Sequence, residues 1–425
     1  MKPRLQTWRS IVIVAIVLVI SNSVKADAIS DWNAITVQAT ITGGRPGPTN
    51  VLDIAMVHAA MYDAVQAIER KFEPYYVEIN GASGSPTAAA AKAARDVLVS
   101  RFAPNPVLVD SINTTYVQYL LSHGLSETDP GVEVGAKAAA GIIALRACDG
   151  SFPVPGPPPF IGGTEAGEWR PTPPGNQSML APWLGSVTPY AMTRPSQFRS
   201  ESPPALTSRE YARDYEEVKT VGSLNSSVRT PEQTDMAHFF AGNTPVIWNR
   251  TLREVSDTHV DNIAESSRLF ALASMAVADT LIAVWNDKVH YNFWRPITAI
   301  REGDNDGNPF TAGDAAWLPL ITTPNYPDYT SGANGFASAV THTLEHLFGS
   351  DQMTFSMVTT NVGPTVEDTR IYNRFSDARA DVVDARVYSG IHFRFADTAA
   401  RKQGKLVADW TFKNFLRPAN GTHKN

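Results

Sequence analysis

The 425-residue sequence predicts an all-α fold with a helical-bundle body. Its long segments place apolar residues at helical spacing, and residues 51–68 are apolar on most of the helix circumference, which predicts a buried helix. Capping residues precede a proline at the first helical position, as at Ser85-Pro86 and Thr230-Pro231. We find no alternating run bounded by turn dipeptides that would predict a sheet, and no repeat of fixed spacing.

The predicted helices fall into two parts separated by a proline-rich stretch. An N-terminal helical part at 27–150 and a C-terminal helical part at 207–425 flank residues 151–206, where proline is too dense for regular structure. Aromatic residues within 151–206 favour a loop that wraps the body or caps a pocket over a solvated linker, so we expect 27–425 to form one compact unit. The predicted helices cover residues 51–68, 88–102, 105–121, 130–147, 208–221, 261–287 and 335–347, with a further start at Thr230.

Residues 1–26 have the pattern of a secretory signal peptide. Lys2, Arg4 and Arg9 form a basic start, residues 11–20 are an apolar run, and small residues suited to cleavage follow. The apolar run is too short for an ordinary membrane span, although an uncleaved N-terminal anchor is the alternative. We therefore expect an exported protein, periplasmic or secreted, without a stable membrane span.

Composition and the polar residues of the first long helix limit the possible functions. The formal net charge is -6 and no basic run is present, which argues against a nucleic-acid partner. The single cysteine, Cys148, excludes a disulfide framework within the chain and a thiolate cluster for zinc. His58, Tyr62 and Asp63 lie within the apolar 51–68 helix, where such groups are more often satisfied core hydrogen bonds than catalysts.

The strongest functional signal is the segment 287–301, DKVHYNFWRPITAIR. Lys288 and Arg295 lie seven residues apart, close to two helical turns, so both cations are predicted to project from one helix face. Two cations on one ridge repel each other unless an anion lies between them. An oxyanion such as phosphate or vanadate suits this position, because arginine can donate to two oxygens at once. The alternative is a solvated helix face that carries two unrelated cations.

Two further motifs follow towards the C-terminus. Ser331-Gly332 precedes an apolar helix, where a hydroxyl, backbone N–H groups and the helix dipole can form an anion site; simple N-capping by Ser331 is the alternative. Arg386 adds a third cation. His392, six residues later, can be a nucleophile, an acid–base group or a ligand to the central atom of an oxyanion. The occurrence of all three motifs in this order indicates an anion-binding site more strongly than any one motif does.

Taken in order, Lys-x6-Arg-Pro, Ser-Gly at a helix start and Arg-x5-His resemble the motifs of the vanadium-dependent haloperoxidases and the related type 2 phosphatidic acid phosphatases. The sequences of residues 31–40 and 56–64 are similar to those of exported bacterial members of the haloperoxidase branch. The resemblance implies a helical-bundle body of the vanadium chloroperoxidase and acid phosphatase type, with vanadate bound, or phosphate as the alternative occupant. It also implies roles for individual residues: Lys288, Arg295 and Arg386 would hold the equatorial oxygens, Ser331 and the Gly332 N–H would complete the cradle, and His392 would bond vanadium axially or attack phosphorus.

The chain departs from the family pattern at the acid–base position. The second family motif reads Pro-Ser-Gly-His, and here Ala333 replaces the histidine that is the family's acid–base group. Asn334 is the nearest alternative in sequence and can hydrogen-bond but cannot titrate. Asp397 lies five residues after His392, one further than the usual aspartate, so the pattern alone does not assign it the orienting role. Asn334 and Asp397 are therefore secondary candidates for the site.

Three functions remain open at this point. The first is a haloperoxidase-like enzyme, in which vanadate-bound peroxide oxidises halide to hypohalite for a small organic acceptor, with activity impaired by Ala333. The second is an acid phosphatase that cleaves a phosphate ester through a phosphorylated His392; loss of the acid–base histidine weakens this reading more, because the leaving alkoxide needs a proton. The third is a non-catalytic homologue that binds an oxyanion.

Overall fold

A computed structural model of the protein describes residues 27–361 and 368–419, and these residues are mostly helical. The signal peptide predicted at residues 1–26 lies outside the described residues. The all-α prediction is confirmed. The described helices are α1 (Ala28–Thr42), α2 (Asn50–Glu69), α3 (Pro86–Arg101), α4 (Pro106–Ser122), α5 (Pro130–Arg146), α6 (Arg209–Val221), α7 (Pro231–Phe239), α8 (Thr244–His259), α9 (Ile263–Tyr291), α10 (Pro296–Arg301), α11 (Gly332–Phe348), α12 (Phe375–Tyr388) and α13 (Arg394–Asn414), with 3-10 turns at Pro182–Ser186 and Gly303–Asn305.

A two-stranded antiparallel hairpin corrects the prediction that the chain contains no sheet. Its strands are β1 (Gln352–Val358) and β2 (Thr369–Arg374), with Phe355 opposite Tyr372. Phe355 and Met357 are buried and alternate with more exposed neighbours, which is the period of a half-buried strand. Only two inward residues carry this period, so the run is too short to stand out in the sequence.

His58, Tyr62 and Asp63 of α2 each make at least one hydrogen bond within the core, although His58 Nδ1 is buried without a partner. The Asn33 amide donates to His58 Nε2 at 2.8 Å. Asp63 accepts the backbone N–H groups of residues 75–77 at 2.6–3.1 Å, and the Tyr62 hydroxyl donates to a backbone carbonyl at 2.6 Å. The bonds of Tyr62 and Asp63 fasten the chain after α2 back onto the helix, and the bond of His58 joins α2 to α1, so these side chains have a structural role.

Helices α2 and α9 are long and apolar enough to cross a membrane by length and composition. Their most apolar windows are 89% and 94% buried within the fold, and the two helices pack against each other. Their apolar character is therefore accounted for by burial in the protein core.

The segment 151–206 wraps along α9 and is fastened to it at several points. Asp279 of α9 accepts the backbone N–H groups of residues 190–192 at 2.6–2.8 Å. Trp169 and Tyr190 are buried within this wrapping segment. Further hydrogen bonds join α9 to the wrapping segment at Trp285 to Leu180, Asn286 to Gly185 and Asp287 to Ser200. The C-terminal end of α9, which carries Lys288, is thus held in a fixed position.

Helices α11 and α13 approach each other closely through two glycines. A Cβ atom added to Gly404 of α13 would lie 2.5 Å from the backbone oxygen of Gly335 in α11 and 3.1 Å from the nitrogen of Ala339. Since the neighbouring atoms belong to backbone, they cannot move aside cheaply. This contact fixes the position of α11, whose first residue follows Ser331, relative to α13.

We expect Gly404→Ala to destabilise the protein by about 1–3 kcal/mol, because the added methyl overpacks the contact between α11 and α13. Helix propensity acts in the opposite direction and is worth up to ~1 kcal/mol. Urea unfolding followed by circular dichroism measures the change. Gly156→Ala is the control, because a Cβ there meets nothing within 4 Å. Equal stability of the two variants would contradict the close packing of these helices.

Candidate functional site

Lys288 and Arg295 converge, although not in the way that their spacing predicts. Helix α9 ends at Tyr291, Asn292 adopts a left-handed conformation with φ 46°, and Arg295 lies in extended backbone before α10. The prediction of one shared helix face is wrong, because Asn292 ends the helix between Lys288 and Arg295. Both side chains are fully buried, which also excludes the solvated helix face.

The two cations meet beneath the backbone of residues 326–328. Lys288 Nζ donates to the carbonyl oxygens of Pro327 and Asp328 at 2.6 and 3.1 Å. Arg295 Nε donates to the Tyr326 carbonyl at 2.7 Å, and its Nη1 donates to the Ile391 carbonyl at 2.7 Å. The carbonyls orient both side chains and leave their remaining donors available to a ligand.

The second motif places Ser331 and Gly332 at the start of α11. Ser331 occupies the N-cap position, but its side chain makes no capping hydrogen bond, so capping is not its role. Its hydroxyl instead lies 3.3 Å from the Asn334 amide, which also donates to Asp397 Oδ1 at 2.7 Å. A hydroxyl and unpaired N–H groups at a helix N-terminus form a favourable position for an anion.

The geometry around His392 assigns its tautomer. Arg295 Nη1 lies 3.1 Å from His392 Nε2, and since a guanidinium only donates, Nε2 accepts. The proton therefore resides on Nδ1, which donates to Asp328 Oδ1 at 2.7 Å. Nε2 keeps its lone pair directed towards the cations, as a ligand nitrogen requires.

Asp328 is a site residue that the sequence analysis missed. It lies three residues before Ser331, is fully buried and makes the contact to His392 that the family pattern assigns to an aspartate after the histidine. Asp397 instead hydrogen-bonds Asn334 on the other side of the site. Asp397 lies one residue further from His392 than the aspartate of the family pattern. This difference was the signal in the sequence that another carboxylate orients the histidine.

Arg386 completes the cationic group from α12. Its Nη1 donates to the Phe240 carbonyl at 2.9 Å, and the side chain lines the same cavity as His392, Gly332 and Ala333. Within the described chain, Arg386 Nε and Arg295 Nη2 are buried donors without a hydrogen-bond partner. Unpaired buried donors of this kind carry an energetic cost unless a ligand accepts from them.

Burial and the crowding of cations shift the pKa values of the site. Burial lowers the pKa of His392 well below its ordinary value, and Arg295, Lys288 and Arg386 lower it further. Burial and then the neighbouring Arg295 hold the pKa of Lys288 well below its ordinary range. His392 is therefore neutral, and the site has a deficit of negative charge that an anion would correct.

The two carboxyl groups of the site are shifted in the opposite direction. Burial raises the pKa of Asp328 to about 7, against the lowering effect of Arg295 and Lys288. Burial raises the pKa of Asp397 well above its ordinary value, against hydrogen bonds from Ser331 and Asn334 that lower it. The protonated form of Asp397, which lies beside Ser331, is therefore favoured more than that of an ordinary exposed aspartate.

Ala333 leaves the family's acid–base position without an imidazole. His342 and His346 of the same helix pair with Glu345 and Asp409 at 2.7 and 2.8 Å, away from the cradle. Asn334, the nearest polar residue in sequence, is directed to Asp397. The described site therefore combines all the predicted oxyanion-binding residues with a methyl group at the position where the family pattern has a histidine.

A tetrahedral oxyanion such as vanadate or phosphate fits the residues present. Three buried cations surround a neutral histidine nitrogen, and two of the three arginine or lysine side chains retain unpaired donors. Charge-assisted donation to oxygen and one nitrogen ligand for the central atom are what such a group requires. The fold and the site together describe a helical-bundle protein with a buried candidate site for an oxyanion. We call this site the oxyanion cradle and define it as Lys288, Arg295, Ser331, Gly332, Arg386 and His392.

Comparison with known proteins shows which proteins have a similar sequence and fold. Residues 268–421 match the family model of the VCPO second helical-bundle domain, and this match, together with the similar proteins below, supports a relation to the vanadium haloperoxidase superfamily. It is 26% identical over 287 residues to the vanadium chloroperoxidase of Curvularia inaequalis. This match covers 52% of the chain and 46% of that protein, so the chain spans about half the length of the curated relative.

Solved structures show the same fold over nearly the whole chain. The first bacterial vanadium-dependent iodoperoxidase superposes with a TM-score of 0.78 at 20% identity, covering 94% of this chain and 99% of that one. A holo-type bacterial vanadium-dependent chloroperoxidase superposes with a TM-score of 0.71 at 17% identity, covering 93% and 98%. The likeness extends through both helical parts of the chain.

Proposed function

We propose that this protein is a vanadate-dependent peroxidase of the haloperoxidase type, which uses hydrogen peroxide to oxidise a halide. The observation that carries the proposal is the convergence of Lys288, Arg295 and Arg386 on the unprotonated Nε2 of His392. Bound vanadate supplies the activation of peroxide for two-electron oxidation of halide. The names of the similar proteins, a chloroperoxidase and an iodoperoxidase, support this type of reaction.

The residues of the chain bind and orient the reacting group. Lys288, Arg295 and Arg386 neutralise oxyanion charge and are fixed by backbone carbonyls before a ligand arrives, so little reorganisation is needed. Asp328 accepts a hydrogen bond from Nδ1 of His392 and thereby directs Nε2 into the cradle. Burial of these groups limits their exposure to water and strengthens each electrostatic interaction.

A direct assay tests the proposed function. We expect oxidation of iodide, bromide or chloride by peroxide only after the protein is loaded with vanadate, and loss of this activity in His392→Ala. Hydrolysis of p-nitrophenyl phosphate, measured without vanadate, reports the phosphatase alternative. Halide oxidation that is independent of vanadate, or phosphatase activity alone, would overturn the proposal.

Vanadate or phosphate should raise the melting temperature of the protein, because a ligand that binds only the folded state stabilises it by ~2.7 kcal/mol at a hundred times its Kd. Arg386→Ala should reduce this shift strongly by removing a charge-assisted donor. Arg374→Ala is the matched control, since Arg374 is half exposed and its ion-pair distance to Asp351 is 3.9 Å. If the thermal shift is unchanged in Arg386→Ala, Arg386 does not bind the oxyanion.

We also propose that the enzyme acts after export. The basic start and apolar run within residues 1–26 support this location. Cell fractionation together with determination of the mature N-terminus tests it, and retention of the full-length chain in the cytoplasm would contradict it.

A further inference from the structure

A cavity of about 250 Å³ opens directly onto the oxyanion cradle. Gly332, Ala333, Arg386 and His392 form its inner end, and apolar side chains form much of its wall. At ~30 Å³ for each water in the liquid, this volume corresponds to roughly eight water molecules. A single tetrahedral oxyanion has only five heavy atoms, so the cavity has room for a second chemical group.

The wall of the cavity is aromatic and held rigidly. The Trp285 ring is fixed by a hydrogen bond from its Nε1 to the Leu180 carbonyl at 3.1 Å, and it packs against Tyr326 with ring centroids 5.0 Å apart. Lys288 Nζ lies 4.9 Å from the centre of the Tyr326 ring and holds it through a cation–π contact. Phe336 of α11, 3% exposed, adds a third ring. The surface for a flat apolar group therefore exists before any ligand binds.

The first turn of α11 keeps this cavity apolar. Ala333 contributes a methyl group where an imidazole would otherwise enter, and Asn334 is directed away to Asp397. Ala333 also borders a small void lined by Phe240, Ile247 and Trp248, so apolar groups lie behind it as well. A cavity with apolar walls and a few convergent polar groups at one end is the usual form of a site for a small organic molecule.

We propose that this cavity is a subsite for the aromatic ring of a small organic molecule that binds beside the oxyanion. The inference rests on the oxyanion cradle of the proposed function and names the substrate class of that same site. The organic acceptor is then held by the protein, with its ring between Trp285, Tyr326 and Phe336 and its reacting end towards Arg386 and His392. Ala333 is the residue that determines this specificity, because a larger side chain would occupy the space of the ring.

Two phosphonates separate the subsite from the cradle. Phenylphosphonate and methylphosphonate carry the same oxyanion, and only the first has a ring, so titration calorimetry on the vanadate-free protein measures the contribution of the ring. We expect phenylphosphonate to bind at least about tenfold more tightly, since even one methylene in an apolar pocket is worth roughly tenfold or more. Ala333→Phe should abolish this preference and leave methylphosphonate binding in place, whereas Ala333→Ser should keep the preference.

The outcomes distinguish two kinds of failure. If methylphosphonate and vanadate bind but the phenyl group adds no affinity, the subsite is disproved and the cradle stands. If neither phosphonate nor vanadate binds, the cradle fails and the subsite with it. A preference for phenylphosphonate that persists in a folded Ala333→Phe variant places the ring elsewhere and also overturns the proposal. The comparison in the unaltered protein decides the matter if that variant does not fold.

Discussion

Replacing Ala333 by histidine should raise the turnover of iodide oxidation by about a hundredfold or more, because positioned acid–base groups typically contribute this factor. The substitution restores an imidazole next to Gly332, at the end of the cavity that faces Arg386 and His392. The measurement is kcat with saturating peroxide and vanadate across a range of pH, where a titrating imidazole adds a new limb to the profile.

Ala333→Gln is the matched control for this experiment. Glutamine fills similar space and hydrogen-bonds but does not titrate, so it should not reproduce the gain. A rate that falls in Ala333→His would show that the protein already has a proton donor. Asp397 would then be the first residue to examine, because burial raises its pKa and it lies beside Ser331, and Asp397→Asn should in that case lower the rate.

Asp328→Ala should weaken vanadate binding by roughly 10–100-fold, the usual effect of removing the partner that orients a metal-ligating histidine. Without the acceptor at 2.7 Å from Nδ1, His392 can rotate or change tautomer, and Nε2 no longer points into the cradle. Vanadate affinity is measured by titration calorimetry. The tautomer of His392 is read independently from its ring nitrogen shifts by NMR in the vanadate-free protein.

Two further variants separate positioning from general damage. Asp328→Asn keeps an oxygen that accepts from Nδ1 and should retain most of the affinity. Asp397→Ala disturbs Asn334 instead and should leave the His392 tautomer unchanged. If Asp397→Ala alters the tautomer more than Asp328→Ala does, the orienting role belongs to Asp397 after all.

The helices and the ordered motifs could be predicted from the sequence because both depend on local spacing. Capping residues and helical periodicity located most of the helices to within a few residues. The hairpin of β1 and β2 was missed because only Phe355 and Met357 carry its period. The relation between Lys288 and Arg295 was predicted wrongly, since a seven-residue spacing places two side chains on one face only if the helix continues between them, and Asn292 ends it.

The contacts around His392 could not be predicted, because they join segments far apart in the chain. Asp328 and His392 are separated by more than sixty residues, and nothing in the local sequence of either specifies where a ring nitrogen points. Asp328 and Asp397 are the same residue type, so the sequence does not distinguish them. They differ in which side of the site they face. That difference is set by the packing of α11 against α13 and by the fold of residues 326–328, which are tertiary features.

The attachment of the wrapping segment to α9 also determines how solutes reach the site. Asp279 and its neighbours fasten residues 180–200 along the helix that carries Lys288, so the route along this side would require several buried hydrogen bonds to break. The cavity is instead bordered by residues 47–48, which form a turn, and by residues 242–245, which include the start of α8. We therefore expect a ligand to enter and leave past residues that carry none of the predicted oxyanion-binding groups, and substitutions there should change exchange rates while leaving equilibrium affinity nearly constant.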